Sequence, residues 1–264
     1  MKALRNLLAA CVPLALLAAC GGGDVQDRLD IADPVVRLVH ASPVAPNVDL
    51  IDDTAGAARV TDAPFTFASE YLPVAAAFAD WSVRTTAGGK LVGTASIDAS
   101  VGTKYSIVVL PASDVSSTVY VIADPFNKPL GSKSTRLRVF NASRDAADID
   151  LYMNAVGTDI GVPGIEPLIA ATAYKTSGPA SGKDSVDIPA GTYQVSITAA
   201  GTKTVLFAGL IGFGDNRDIL LAVVPGASPP GGGIRLFSKV DGDAGMIEIP
   251  ACGAVPAHPD PVCY

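Results

Sequence analysis

Two stretches of this chain share one skeleton. VRLVHASPVAPNVDL spans residues 36–50 and LRVFNASRDAADIDL spans residues 137–151. At an offset of 101, Arg37 meets Arg138, Ala41 meets Ala142 and Ser42 meets Ser143, and without a gap Asp49 meets Asp150. The echo goes on. Tyr71 in EYLP faces Tyr174 in AYKT, and DWSVRTTAGG (80–89) answers TYQVSITAAG (192–201). YSIVVLPAS (105–113) answers ILLAVVPGA (219–227), and TVYVIAD (118–124) answers GIRLFSKVD (233–241). The offset grows along the chain, so the second copy has longer loops, with SGPASGKDS (177–185) as the main insertion. A period of about 100 residues is that of a duplicated domain; solenoid repeats are far shorter.

Each copy is patterned for strands. Trp81, Val83 and Thr85 alternate with Ser82, Arg84 and Thr86; Tyr193, Val195 and Ile197 alternate with Gln194, Ser196 and Thr198. Period two in β-branched and aromatic residues predicts strands with one buried face. AGGK and AAGT then predict hairpin turns. Gly and Pro together number 46, which disfavours long helices. About seven short strands per copy, separated by turn signals, predict two tandem β-sandwich domains of immunoglobulin/transthyretin-like type. The expected divisions are 34–133 and 134–246, with the boundary near GSKST (131–135).

The N-terminus reads as an export signal. MKALRN is basic, LLAACVPLALL is apolar but too short to span a bilayer, and the segment closes on LAAC at residues 17–20. This resembles the lipobox of bacterial lipoprotein precursors, which implies a signal peptide over 1–19 and lipid attachment at Cys20. Gly21 after that cysteine implies, by the same resemblance, the outer membrane of a Gram-negative bacterium, with a periplasmic or surface-exposed body. Residues 20–33, rich in Gly and charge, read as a flexible tether. Cys11 leaves with the signal; if Cys20 is acylated, Cys252 and Cys263 remain as a pair. They are expected to close a disulfide in a C-terminal tail over 247–264.

The opening motif VRLVHASPVAPNVDL and the strand PAGTYQVSI (189–197) resemble the bacterial domain-of-unknown-function 4397 family, whose members are often exported lipoproteins with tandem copies. The second copy departs from the signature, with Asn141 for His40 and Arg144 for Pro43. The resemblance implies no activity and no catalytic residues.

The motif itself reads as a turn. VRLVH puts Val36, Leu38 and His40 on one face and Arg37 and Val39 on the other. Pro43, Pro46 and Ser42 then turn the chain. Asn141 cannot transfer protons near neutral pH and is a poor transition-metal ligand, so the second copy keeps the shape without the chemistry. His40, Ser42, Asp49, Asn141, Ser143 and Asp150 are thus expected to be structural, with Asp49 and Asp150 accepting bonds from the turn.

Other chemistry is thin. The two histidines, His40 and His258, are far apart in sequence, and no His/Cys spacing suits a metal. GPASGK (178–183) is one residue short of a phosphate loop and precedes Asp184, and GFGDNR (212–217) lacks the third dinucleotide Gly. No Gly-x-Ser-x-Gly elbow occurs. VDGDAG (240–245) is expected to be a solvated turn, since full calcium-loop spacing is absent. Trp81 is expected in the core rather than as a sugar platform. Net charge is −7, and −9 once Lys2 and Arg5 leave with the signal, which disfavours nucleic acid. The expectation is a non-catalytic envelope module, structural or adhesive, with an unknown protein or polysaccharide partner. It has no catalytic residues, no metal and no cofactor, and a glycan- or calcium-binding module is the alternative.

Overall fold

The alternating runs become strands in the computed structural model, which describes residues 32–126, 130–226, 233–243 and 245–252. Among the described residues the regular structure is β throughout, and the architecture is that of β-sandwiches. The first half supplies β1 (Val35–His40), β2 (Val48–Asp52), β3 (Ala57–Ala63) and β4 (Leu72–Pro73). It continues with β5 (Phe78–Thr85), β6 (Leu91–Asp98), β7 (Thr103–Pro111) and β8 (Ser117–Pro125). The second supplies β9 (Ser134–Asn141), β10 (Asp148–Asn154), β11 (Ile169–Ala173), β12 (Ser177–Gly178) and β13 (Val186–Pro189). After these come β14 (Gly191–Ala199), β15 (Val205–Phe213), β16 (Arg217–Pro225), β17 (Ile234–Val240) and β18 (Ile247–Ile249). The halves thus hold more than seven strands each. The extra ones, such as β4, β12 and β18, are two or three residues long, too short for alternation to reveal.

The sheet orders of the halves correspond. The first half has sheets β4-β1-β7-β8 and β3-β2-β5-β6; the second has β12-β9-β16-β17-β18, with β13 also on β9, and β11-β10-β14-β15. In both, the first strand runs parallel to the sixth or seventh long strand: β1 beside β7 and β9 beside β16. A parallel pair needs a crossover, and here the crossover is the whole partner sheet.

Three cores fill the body that the described residues form from Asp33 to Cys252. One lies between the two sheets of the first half, with Leu38, Leu50, Trp81, Ile107 and Val109. A second lies between the sheets of the other half, with Leu137, Leu151, Ile197, Phe207 and Leu221. The third joins the halves: Val39, Val108 and Leu110 of the first meet Phe140, Leu220 and Val224 of the second. The result is four stacked sheets. Strands β7 and β16 are central, and each alternates between two cores. Ile107 and Val109 face one way and Val108 and Leu110 the other; Leu221 and Val223 oppose Leu220 and Val224. Burial on both faces explains their unbroken apolar runs, IVVL and ILLAVV. These inner strands therefore differ from the alternating β5 and β14.

The segment expected as a separate tail is part of the body as far as Cys252. Ile249 enters the second core, β18 pairs with β17, Ala251 bridges Gly209, and the Cys252 amide donates to the Ala208 carbonyl at 2.8 Å. A Cβ on Gly209 would sit 2.8 Å from the Pro250 carbonyl oxygen, so the close approach requires glycine. Cys20, Cys263, His258 and the signal segment lie outside the described residues.

Candidate functional site

The two motif copies make the same bonds with different atoms. His40 is fully buried at the end of β1. Its Nε2 donates to the Pro46 carbonyl at 3.1 Å, and its Nδ1 accepts from the Ser42 amide at 3.4 Å. Asn141 Nδ2 donates to the Ala146 carbonyl at 3.0 Å and its Oδ1 accepts from the Ser143 amide at 3.1 Å. This pattern requires His40 to be neutral with its proton on Nε2, and burial lowers its pKa to match. Ser42 Oγ lies 2.7 Å from Ser117 Oγ, and Ser143 Oγ accepts from the Asp145 amide. Asp49 and Asp150 do not reach this turn. Asp49 accepts from the Asp62 amide and Thr86 Oγ; Asp150 accepts from the amides of Ala171 and Gly201. Period-two geometry puts these acids a full strand turn away, where they brace neighbouring strands.

The chemistry that sequence reasoning passed over is a seam of charge between the halves. Arg37 on β1 pairs at 2.7 Å with Asp241, just past β17; Arg138 on β9 pairs at 2.8 Å with Asp124 on β8. Each half lends its arginine to the carboxylate of the other, at equivalent positions. This is the reciprocity of a two-fold interface. Lys104 sits between them, paired with Asp218 and lying 3.1 Å from Asp241 and 3.9 Å from Asp124. Three cations thus meet three carboxylates. Arg37 also lies 4.5 Å from the Tyr71 ring centroid and donates to Ser106 Oγ. Burial opposes the charge on Lys104, but Tyr71, Asp218, Asp241 and Asp124 outweigh it and raise its pKa. Burial also raises the pKa of Asp218: it has one cation, which Asp241 and Asp124 share. The expected solvated turn is present, with Gly242 and Asp243 exposed, but Asp241 within it belongs to the seam. The signal was the pairing of Arg37 with Arg138, charges set inside apolar runs at matching positions.

The insertion SGPASGKDS has a place here too. Arg138 donates to the carbonyls of Pro179, Ala180 and Lys183 and to the hydroxyls of Ser177 and Ser185. The Gly182 amide then donates to the Ala123 carbonyl on the edge of β8 at 2.7 Å. The supposed phosphate-loop likeness is a strap that cages an arginine and covers a sheet edge. Its counterpart runs the other way: Glu70 pairs with Lys239 at 3.0 Å, and Phe65 packs on Phe237.

A cavity of about 400 Å³ opens between the sheets at one end of the first sandwich. Trp81 forms its floor and is itself 1% exposed, so the ring is core. Alanines 75, 77, 79 and 99 line the walls, and Phe78, 59% exposed, stands at the mouth. Across the rim, Arg59 reaches Asp52 at 3.5 Å and the Pro73 carbonyl at 3.0 Å.

Residues 34–152 match the model of a family described as a domain of unknown function (DUF4397). No curated protein matches the chain. Among solved structures, the chain is similar to a family 26 carbohydrate-binding module from Eubacterium rectale, crystallised with maltoheptaose. Identity is 11%, coverage is 84% of this chain and 98% of that one, and the TM-score of 0.24 is too low to carry an argument.

Proposed function

We propose that this chain is a non-catalytic, lipid-anchored module of a Gram-negative cell envelope: a rigid body that presents its surface to a partner protein. In this reading Cys20 carries the lipid, residues 20–33 are the tether, the second half is a second copy of the domain matched over 34–152, and Cys252 pairs with Cys263. The observation that carries the non-catalytic part is the seam. The three buried cations Arg37, Lys104 and Arg138 are all matched by carboxylates of the same chain. Charges committed to one another in this way hold halves together and are not free to act on a substrate. Radiolabelled palmitate tests the anchor: label is expected in wild type and absent in Cys20→Ala, and equal labelling of both would overturn it. Protease shaving of intact cells, read with a C-terminal epitope, then separates a surface body from a periplasmic one. Turnover of an ester or glycoside panel that a single acid-to-amide change abolishes would overturn the non-catalytic reading.

A further inference from the structure

We infer that the Trp81 cavity is a binding site for an uncharged, predominantly apolar small molecule; this rests on the reading of the chain as a binding module. The second half provides an internal control. Trp81 is paired across the sheet with Ala95, and Ala79 with Ile97; the matching pairs in the second sandwich are Tyr193 with Ile211 and Gly191 with Phe213. There, β13 also brings Ile188 into the core from the opposite sheet, where the first half has only the two residues of β4. The second half thus sets Ile211 where the first has Ala95, and Phe213 where it has Ile97. Filling the hollow would take only larger side chains at alanine positions, a common stabilising change. Its volume lies within the range of small-molecule pockets, and its walls are apolar.

The rim sets the charge of the ligand. Asp52 and Arg59 neutralise one another across the mouth, so neither is free to hold an ionic head group. Asp33 leaves the mouth net negative, which disfavours an anion, and the apolar walls behind it offer a cation no partner. An uncharged ligand meets no such conflict, and its apolar body gains burial against Val74, Ala75, Ala77 and Phe78.

The chain carries its own reporter, since Trp81 is its single tryptophan. Residues 21–264 include all three cores and avoid detergent, so they suit the test. The probe is N-phenyl-1-naphthylamine, uncharged and able to accept energy from tryptophan. Saturable quenching of Trp81 with sensitised probe emission is expected, together with a rise in Tm. Ala79→Leu on β5 and Ala99→Leu just past β6, which fill the hollow from different sides, should each weaken probe binding at least about tenfold. Transfer that does not saturate, or saturable transfer that survives in whichever filled variants fold, overturns the site. Failure here with Cys20-dependent palmitate labelling intact leaves the envelope reading standing; binding without labelling overturns the anchor alone.

Discussion

Replacing Arg138 with Met removes the most heavily bonded charge in the seam while keeping most of its volume. The side chain is 2% exposed and serves Asp124, two serine hydroxyls and three carbonyls of the strap. Breaking a buried pair by deleting one partner costs roughly 3–5 kcal/mol. Two features moderate the loss. Asp124 keeps Ser185 Oγ at 2.9 Å and Lys104 at 3.9 Å, and the strap around Lys183 is exposed, so its freed carbonyls can reach water. We therefore expect about 4 kcal/mol, which for a body of this size lowers Tm by roughly 8–16 °C. Urea denaturation of residues 21–264 measures it. Arg144→Met is the control, because its pair with Asp114 is exposed and should contribute only about 0.5 kcal/mol or less. The double variant Arg138→Met with Asp124→Asn should be less destabilised than the two single losses added, by about 1–3 kcal/mol. An Arg138→Met loss no larger than the control, or strict additivity, would refute the view that this pair locks the halves.

His40→Asn should change stability by less than about 1 kcal/mol at pH 7.5, since Asn141 already makes the equivalent bonds. Burial lowers the His40 pKa, so its contribution is complete above about 6.5, the unfolded value, and is lost as pH falls through the folded one. The variant should lack that acid loss in thermal melts between pH 7.5 and 5; an unchanged slope contradicts the assignment. Asp150→Ala should cost about 2 kcal/mol and Asp49→Ala about 1, because Asp150 is 4% exposed while the Asp49 bonds are exposed to water. Equal losses in urea titrations would count against the burial argument. Asp218→Asn should cost less than Arg138→Met at pH 7, as Lys104 keeps Asp241 and Asp124. The folded pKa of Asp218 is raised, so its contribution weakens as pH rises through that value. Wild type should therefore gain on the Asn variant as pH is lowered from 7, and a gap that narrows would overturn the assignment.

Strands and hairpins were legible because the pleat writes a period of two into the sequence, as in Trp81-Ser82-Val83-Arg84. The inner position of β7 and β16 was legible in principle too: IVVL and ILLAVV do not alternate, which is what burial on both faces demands. The seam was not. Arg37 and Arg138 stood out only as matching positions, and their partners Asp241 and Asp124 lie 204 and 14 residues away, at distances that no local pattern encodes. The cavity was hidden for the opposite reason. VAAAFAD looks like any small-residue stretch, and only the packing of the sheets shows that its alanines line a space.

The seam also bears on why the halves differ. If two identical domains met through this face with two-fold reciprocity, Arg37 would still find Asp124 of the other copy, so the outer pairs need no divergence. The central pair does. Lys104 and Asp218 occupy equivalent places, opposite Val35 of β1 and Arg136 of β9, and they meet across the seam. Identical copies would set lysine against lysine there or aspartate against aspartate, an uncompensated repulsion in a buried site. Within one chain each position is set independently, and here the cluster holds three cations and three carboxylates. The exchange Lys104→Asp with Asp218→Lys should then be tolerated far better than either change singly. Each single change leaves two like charges facing, whereas the double restores the pair with its sense reversed. The reversed lysine would have to reach Asp241 and Asp124 from the opposite side of the seam, so recovery should be partial, and equal damage from the single and double variants would show that the pair acts through packing rather than charge.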